Sequence, residues 1–501
     1  MEPMRMRRYG FTFLFIFFLP LAGCALFLPQ RIPQHFERPK QCQEFLNQLD
    51  EKVEEAGVRE ASSFSIPGFP YLRTDRFLSA LKRNLNDDRE TEAWVRWMQQ
   101  LDLASRRREV SNLPDEIVLS MVSKEPQKVD RGRLISQVES CSFELLNNDQ
   151  RRSDFYETLY PLVNVPDEYS CLMRTIGLYP LIALPVAVIT ESSRNKIRSW
   201  FNENLEDLPI DGHLTAFVPT ESISLDEKEI EEMVEKSRKN PLRVPLLDEE
   251  QAKELIRSFA PVFIQDVAAF YDRMGRVVWR GDRVEIDPER PTLYYYISYA
   301  FLKGEPILQL NYVIWYSGRA GKRAPWIERG HLDGLTARVS LDAKGKPFMV
   351  DVMMDCGCYH LFAPRKERVD QVLSRPFMFD PFVPQWLPAL PLGKPLGIRI
   401  SSGWHQVQRL MAVGESPGPI PYELVPYNIL EALPHEEGRT ESIFDAKGVV
   451  KGSERMERFI LFSMGIPSVG SMRQKGHHAI ELIGRVHFDD PDLFDRNFIF
   501  K

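Results

Sequence analysis

The strongest constraint on the fold is a change in the spacing of apolar residues partway along the chain. From about Gln41 to Phe201 they recur every three or four positions, as in Phe45, Leu46, Leu49 and Val53 or in Leu134, Val138 and Leu145. That spacing lines one face of an amphipathic helix. After Phe259 the period becomes two: Leu293, Tyr295, Ile297, Tyr299 and Phe301 alternate with Tyr294, Tyr296, Ser298, Ala300 and Leu302, the pattern of a strand with two different faces. The expected class is α+β, a helical N-terminal domain followed by an antiparallel β sandwich or partly closed barrel. At 501 residues and 43% hydrophobic composition the chain has material for both cores.

The helical domain is expected over residues 24–205, with Gly68 to Arg73 a loop inside it. Residues 206–258 are charged and punctuated by proline, and read as a linker with short helices. One of these begins at a capping box of Ser224 and Glu227. The β domain fills 259–501. Lys303-Gly304 turns one strand into the next, so Leu308, Leu310, Tyr312, Ile314 and Tyr316 share a face. Further strands are expected over Gly397 to Val413, Arg458 to Met464 and His478 to Phe488, with Phe377 to Pro395 a long surface loop. The apolar run Gly177 to Thr190 contains Pro180 and Pro185 and is too short to span a bilayer, so its place is expected in the interior, with a segment resting on a membrane as the alternative.

Several chemistries are excluded. The chain has no phosphate-cradling glycine loop and no G-x-S-x-G nucleophile elbow, so no nucleotide cofactor is expected. His435-Glu436 begins like a zinc-protease motif, but position 439 is Arg. Cys356-Gly-Cys358-Tyr-His360 lacks the spacing for covalent haem. Net charge is -7, and the densest basic run, Arg106 to Arg108, reads as a solvated helix face, so nucleic acid is not an expected partner. His477 and His478, adjacent on one strand, read as separate structural histidines.

The strongest chemical signal lies in a second hairpin. Asp342 to Pro347 is turn chemistry between two alternating runs. With Lys344-Gly345 at its centre, Val339 faces Val350, Ala337 faces Val352 and Leu335 faces Met354. Continuing that register places Asp333 opposite Cys356 and His331 opposite Cys358, with His360 one step beyond. These five, His331, Asp333, Cys356, Cys358 and His360, are candidate ligands for zinc or iron, because buried imidazole, thiolate and carboxylate need partners. A Cys356–Cys358 disulfide or a hydrogen-bonded polar cluster would meet the same need. Among Cys42, Cys141 and Cys171, one disulfide or three buried thiols fit equally, with Cys42–Cys141 the preferred pair.

The N-terminus reads as an address. Arg5, Arg7 and Arg8 precede an apolar run from Phe11 to Leu21, the plan of a cleaved signal peptide over residues 1–23. The run ends in Leu21-Ala22-Gly23-Cys24, which resembles the lipobox of bacterial lipoproteins. That resemblance implies that Cys24 is acylated and becomes the mature N-terminus. Ala25 after it implies the outer membrane, with the protein facing the periplasm and the membrane as partner through the lipid. Leu308 to Tyr316 followed by Gly330-His331-Leu332-Asp333-Gly334 resembles the strand and loop of necrosis-inducing-type metal-binding β-sandwich proteins. Gly330 and His331 match that family's Gly-His-Arg-His-Asp-Trp-Glu motif. The functional expectation is a membrane-anchored periplasmic lipoprotein with a metal site on a β-hairpin; the alternative is a metal-dependent periplasmic hydrolase or redox enzyme.

Overall fold

The computed structural model of the chain describes residues 39–122, 129–375, 378–390, 394–414, 418–435 and 438–501. The signal-like segment and Cys24 lie outside them.

The N-terminal half is helical, as its apolar spacing predicts. It comprises α1 (Lys40–Glu55), α2 (Arg76–Leu81), α3 (Asp88–Asn112), α4 (Asp115–Val122), α5 (Arg131–Asp149), α6 (Phe155–Leu159), α7 (Cys171–Ile176) and α8 (Tyr179–Asn202). Asp75, Asp87 and Asp130 precede α2, α3 and α5 and accept a hydrogen bond from a first-turn N–H, satisfying donors the helix leaves open. Leu46, Leu49 and Val53 of α1 share a core with Trp94 and Met98 of α3 and with Leu134, Val138 and Leu145 of α5. Cys42 and Cys141 form a disulfide joining α1 to α5.

Two local expectations change. The segment around Gly68 is a β-hairpin, β1 (Phe64–Ile66) with β2 (Phe69–Thr74). Arg106 is buried, not solvated: its guanidinium pairs with Asp102 and Asp50 and donates to the Pro70 carbonyl beneath β2. Its acidic partners come from another helix and from an earlier turn of its own, which a count of consecutive basic residues does not register.

The segment 206–258 belongs to the β half. It holds β3 (His213–Pro219), α9 (Glu227–Ser237) and α10 (Glu249–Ser258). The capping box of α9 is Asp226 with Glu229, two residues beyond the expected one. After β4 (Val262–Val267) and a hairpin of β5 (Arg276–Arg280) and β6 (Arg283–Asp287), the chain forms β7 (Thr292–Leu302), β8 (Glu305–Arg319), β9 (Gly330–Leu341), β10 (Pro347–Met354) and β11 (Leu361–Pro364). A short β12 (Val369–Val372) precedes β13 (Leu396–Ile400), β14 (Val407–Ala412) and β15 (Ile420–Pro426).

Ten strands form one sheet in the order β11-β10-β9-β8-β7-β15-β3-β4-β13-β14. It is mixed, not antiparallel, because β15 runs parallel to both β7 and β3, and β13 runs parallel to β4. Within it the two predicted hairpins hold their register. Lys303-Gly304 separates Leu302 from Glu305, and Val339, Ala337 and Leu335 face Val350, Val352 and Met354. Leu335 and Val350 share one core with Ile398 and Leu410 from the far end of the sheet and with Trp200, Ile230 and Leu255 of α8, α9 and α10. The sheet therefore curves around a single interior.

The last forty-odd residues depart from expectation. Arg458 to Met464 holds α11 (Glu457–Ile460) and a 3-10 turn, and His478 to Phe488 makes only one β-bridge, Ala479 with His487. The chain closes with α12 (Leu493–Asn497) and a short strand, Phe498–Phe500, antiparallel to β12. The helical half packs on the sheet through Phe77 against Phe301, ring centroids 5.2 Å apart, and Trp97 against Tyr299.

The run Gly177 to Thr190 is not interior. Within it Leu184, Val188 and Ile189 are each 66–72% exposed, as are Leu172 and Ile176 just before it. α8 buries Val186, Ile197, Trp200 and Phe201, and the apolar residues on its other faces have no core to enter.

Candidate functional site

The turn after β10 is where the expected register ends. Asp355 donates its N–H to Gly334, one rung beyond the last strand pair. Then Gly357 donates to Met354, and Met354 to the Cys358 carbonyl, so the chain doubles back into β11. Gly357 is required there: its φ is 84°, and a Cβ would come within 2.3 Å of the Ala479 carbonyl. Met354, Gly357 and Cys358 thus fold over one another, and Cys358 does not continue along β9 toward His331.

The five expected ligands consequently part company. His331 is exposed, its Nε2 2.8 Å from the Val284 carbonyl. His360 turns to the other face of the sheet, where its Nε2 lies 2.9 Å from Asp351. Asp333, Cys356 and Cys358 remain near one another, but the Asp333 carboxylate is already filled. Arg319 donates to both its oxygens at 3.0 Å, Arg455 to Oδ1 at 3.0 Å and His405 Nδ1 to Oδ2 at 2.8 Å. Among the described residues no group of three or more His, Cys, Asp or Glu is arranged to hold a metal ion. Of the sequence alternatives, the hydrogen-bonded polar cluster describes Asp333.

That cluster is extensive. Arg319 also donates to Glu328 at 2.7 Å, and Glu328 accepts from Trp404 at 2.9 Å and from the Tyr359 hydroxyl. His405 lies flat on Tyr316, 4.0 Å between ring centroids, and its Nε2 is 3.2 Å from Asp272. Leu332, Tyr359 and His405 have φ of 58°, 55° and 54°. Left-handed backbone is costly for such side chains and is held here by the surrounding packing.

Electrostatics follows from this geometry. Burial alone would push the Asp333 carboxyl up, but Arg319, Arg455 and His405 override it and hold it well below the usual carboxylate range. Burial disfavours the His405 cation; its bonds to Asp272 and Asp333 prevail and raise its pKa. Each ring nitrogen faces a carboxylate oxygen, an arrangement that only the doubly protonated ring satisfies at both ends.

Cys356 and Cys358 are free thiols. Hydrogen bonding between the two, with Arg319 and Arg455 nearby, lowers the Cys356 pKa against the opposing effect of burial. The pair titrates as a unit, losing its first proton readily and its second with difficulty. Cys356 is buried, while Cys358 is partly exposed. Beside them the Glu457 carboxyl of α11 is pushed up to about 8 by burial and by the charges of Cys356 and Glu328. The Asp355 carboxyl is pushed well up by burial; Thr336 donates to one of its oxygens at 2.6 Å.

Sequence reasoning located the two thiols and Asp333 but not Arg319, Arg455, His405, Asp272 or Glu328. One signal was present: an aspartate at the apolar end of a hairpin requires a cation, and Arg319 closes the neighbouring strand. His405 and Arg455 come from loops more than 70 residues away in sequence. Comparison with known proteins finds no family that matches this chain, and no curated protein or solved structure similar to it.

Proposed function

We propose that this protein is a lipid-anchored protein of the bacterial envelope that carries out thiol–disulfide exchange through Cys356 and Cys358. The observation that carries the redox reading is the pair of free thiols held in one tight turn beside two buried guanidinium groups. A thiolate is the attacking species in such exchange, and neighbouring positive charge increases its population at neutral pH.

Cys358, nearer solvent, passes its proton to the Cys356 thiolate it is hydrogen-bonded to and attacks one sulfur of a substrate disulfide. The S–S bond breaks, one thiolate leaves with the proton of the pair, and a mixed disulfide remains. Cys356, its thiolate stabilised by Arg319 and Arg455, then attacks Cys358 Sγ. The second thiolate leaves, so the protein dithiol is oxidised by two electrons as the substrate disulfide is reduced to two thiols. Gly357 lets the turn accommodate both sulfurs.

Equilibration with glutathione buffers of graded potential, maleimide trapping and peptide mass spectrometry test this. The expected result is a reversible Cys356–Cys358 disulfide with a two-electron midpoint, and a trapped mixed disulfide on Cys358 in Cys356→Ser. A pair that stays reduced at every ratio, or forms a mixed disulfide only through Cys356, overturns the assignment.

The anchor rests on the lipobox resemblance at Leu21 to Cys24. Cells labelled with a fatty-acid analogue should incorporate it into the wild type and not into Cys24→Ser, which should leave the membrane fraction. Equal labelling of both forms, or a native Cys24 found in a disulfide, sinks it.

A further inference from the structure

The α7–α8 hairpin is a surface that packing does not explain. From Tyr169 to Thr190 there is no acidic residue and a single basic one, Arg174. Arg174 does not reach outward: it donates to the Met464 and Gly484 carbonyls and lies over the rings of Tyr169 and Tyr179. What the hairpin presents to solvent is Leu172, Ile176, Leu184, Val188 and Ile189.

The patch continues onto a part of the chain nearly 300 residues away. Ser170 donates to Gly465 at 2.7 Å, and Gly177 sits so close to Ser463 that a Cβ would lie 2.5 Å from it. This contact brings α11 and its following turn alongside, with Phe459 60% exposed and Ile460 and Phe462 beside it. Monomeric proteins seldom leave so broad an apolar area to water.

Length and charge indicate the occupant. No helix among the described residues is long and apolar enough to cross a membrane, and Pro180 and Pro185 fall within the apolar part of α8. The same helix continues through Glu191 into Arg194, Lys196 and Arg198. Arg194 turns inward to the Asp380 carbonyl and Glu191 lies by Arg198, so Lys196 and Arg198 leave the exposed end of the stretch net positive, while Arg458 on α11 is matched by Glu454. Apolar residues bounded by cations suit the boundary between acyl chains and anionic headgroups.

We infer that the α7–α8 hairpin, with Phe459 and its neighbours, is a second membrane contact that rests in the headgroup region of an anionic phospholipid bilayer. It rests on the reading of Cys24 as an acyl anchor. That anchor keeps the protein at the surface, and the hairpin fixes which side faces it.

The full-length protein purified from membranes should be reconstituted into vesicles of phosphatidylethanolamine and phosphatidylglycerol carrying a diazirine-labelled phospholipid. After irradiation, adducts should concentrate on peptides spanning 171–190 and 456–462. The doubly substituted Leu184→Glu, Val188→Glu protein, changed only at exposed positions, should lose roughly tenfold of that labelling with an unchanged unfolding temperature. Labelling confined to the N-terminal peptide, or spread evenly over the surface, overturns the proposal. So does protein–protein crosslinking through the hairpin, which would make its occupant a second copy. The mass of the N-terminal peptide in the same digest reports acylation separately. An acylated Cys24 without hairpin adducts leaves the anchor standing and the contact refuted; hairpin adducts without acylation do the reverse.

Discussion

At Asp333 a single carboxylate holds three cations in a site closed to water. Asp333→Asn would leave Arg319, Arg455 and His405 facing a neutral amide, and breaking a buried pair in this way costs about 3–5 kcal/mol. Urea titration should show a loss of that size at pH 7. The same group sets an acid limb. Its folded pKa lies below the unfolded value, so its contribution is complete above the unfolded pKa of about 3.9 and is lost as pH falls through the folded one. The wild type should lose stability below about pH 4 more steeply than Asp333→Asn. His405 has the opposite sign: its raised pKa contributes stability below about pH 6.5 that is lost as pH rises through the folded value. Arg455 offers a test of the thiol pair that does not depend on turnover. Arg455→Gln should move the pH midpoint of iodoacetamide alkylation upward by about one unit, because an adjacent cation depresses an acid by one to three. An unmoved midpoint would mean that Arg319 and the shared proton suffice without it.

At the level of elements, the β9–β10 hairpin shows how far pattern reasoning reaches. Asp342 accepts from the Lys344 and Lys346 N–H groups, Gly345 has φ of 72°, and apolar alternation fixes which residues oppose. Every one of these is a local signal, and the pairing from Leu335 to Val350 follows from them. What stops β10 at Met354 is not local. Gly357 lets the chain reverse, but the reversal is packed by Ala479, over a hundred residues later, and its partner β11 begins only at Leu361. A register extrapolated through Cys356 therefore placed His331 and His360 where the chain does not go. Gly357→Ala should destabilise the protein by at least about 2 kcal/mol, since a left-handed alanine alone costs one to two and the Ala479 carbonyl stands in its way. Differential scanning calorimetry would register this. The Cys42–Cys141 bridge was legible as a possibility because both residues lie on amphipathic helices; choosing it over buried thiols required the approach of α1 to α5. It closes a separation of 99 residues, so Cys42→Ser with Cys141→Ser should lower stability by about 2–5 kcal/mol, read by chemical denaturation.

For the whole molecule, the two halves are joined by more than the chain. Phe77 and Trp97 pack on Phe301 and Tyr299, Gln474 donates to Glu60 at 2.7 Å, and His477 Nε2 lies 2.7 Å from the Ala61 carbonyl. Thermal unfolding should therefore appear as one calorimetric transition; two resolved peaks would show that these contacts do not couple the halves. Their segregation into helix and sheet was readable from apolar spacing alone. The mixed character of the sheet was not, because strand order depends on β3, hidden in a segment whose charge resembles a linker, and on β15, which is central in space and late in sequence. That placement orders events in time. When Thr292 to Pro364 have formed their five strands and β3 has found β4, the two blocks still lack the strand that lies between β7 and β3. Both present unpaired N–H and C=O groups until residues 420–426 arrive, and pairing over such separations is slow. A nascent chain shorter than about 420 residues is thus a pair of open edges, vulnerable to association with its neighbours and unable to complete its sheet.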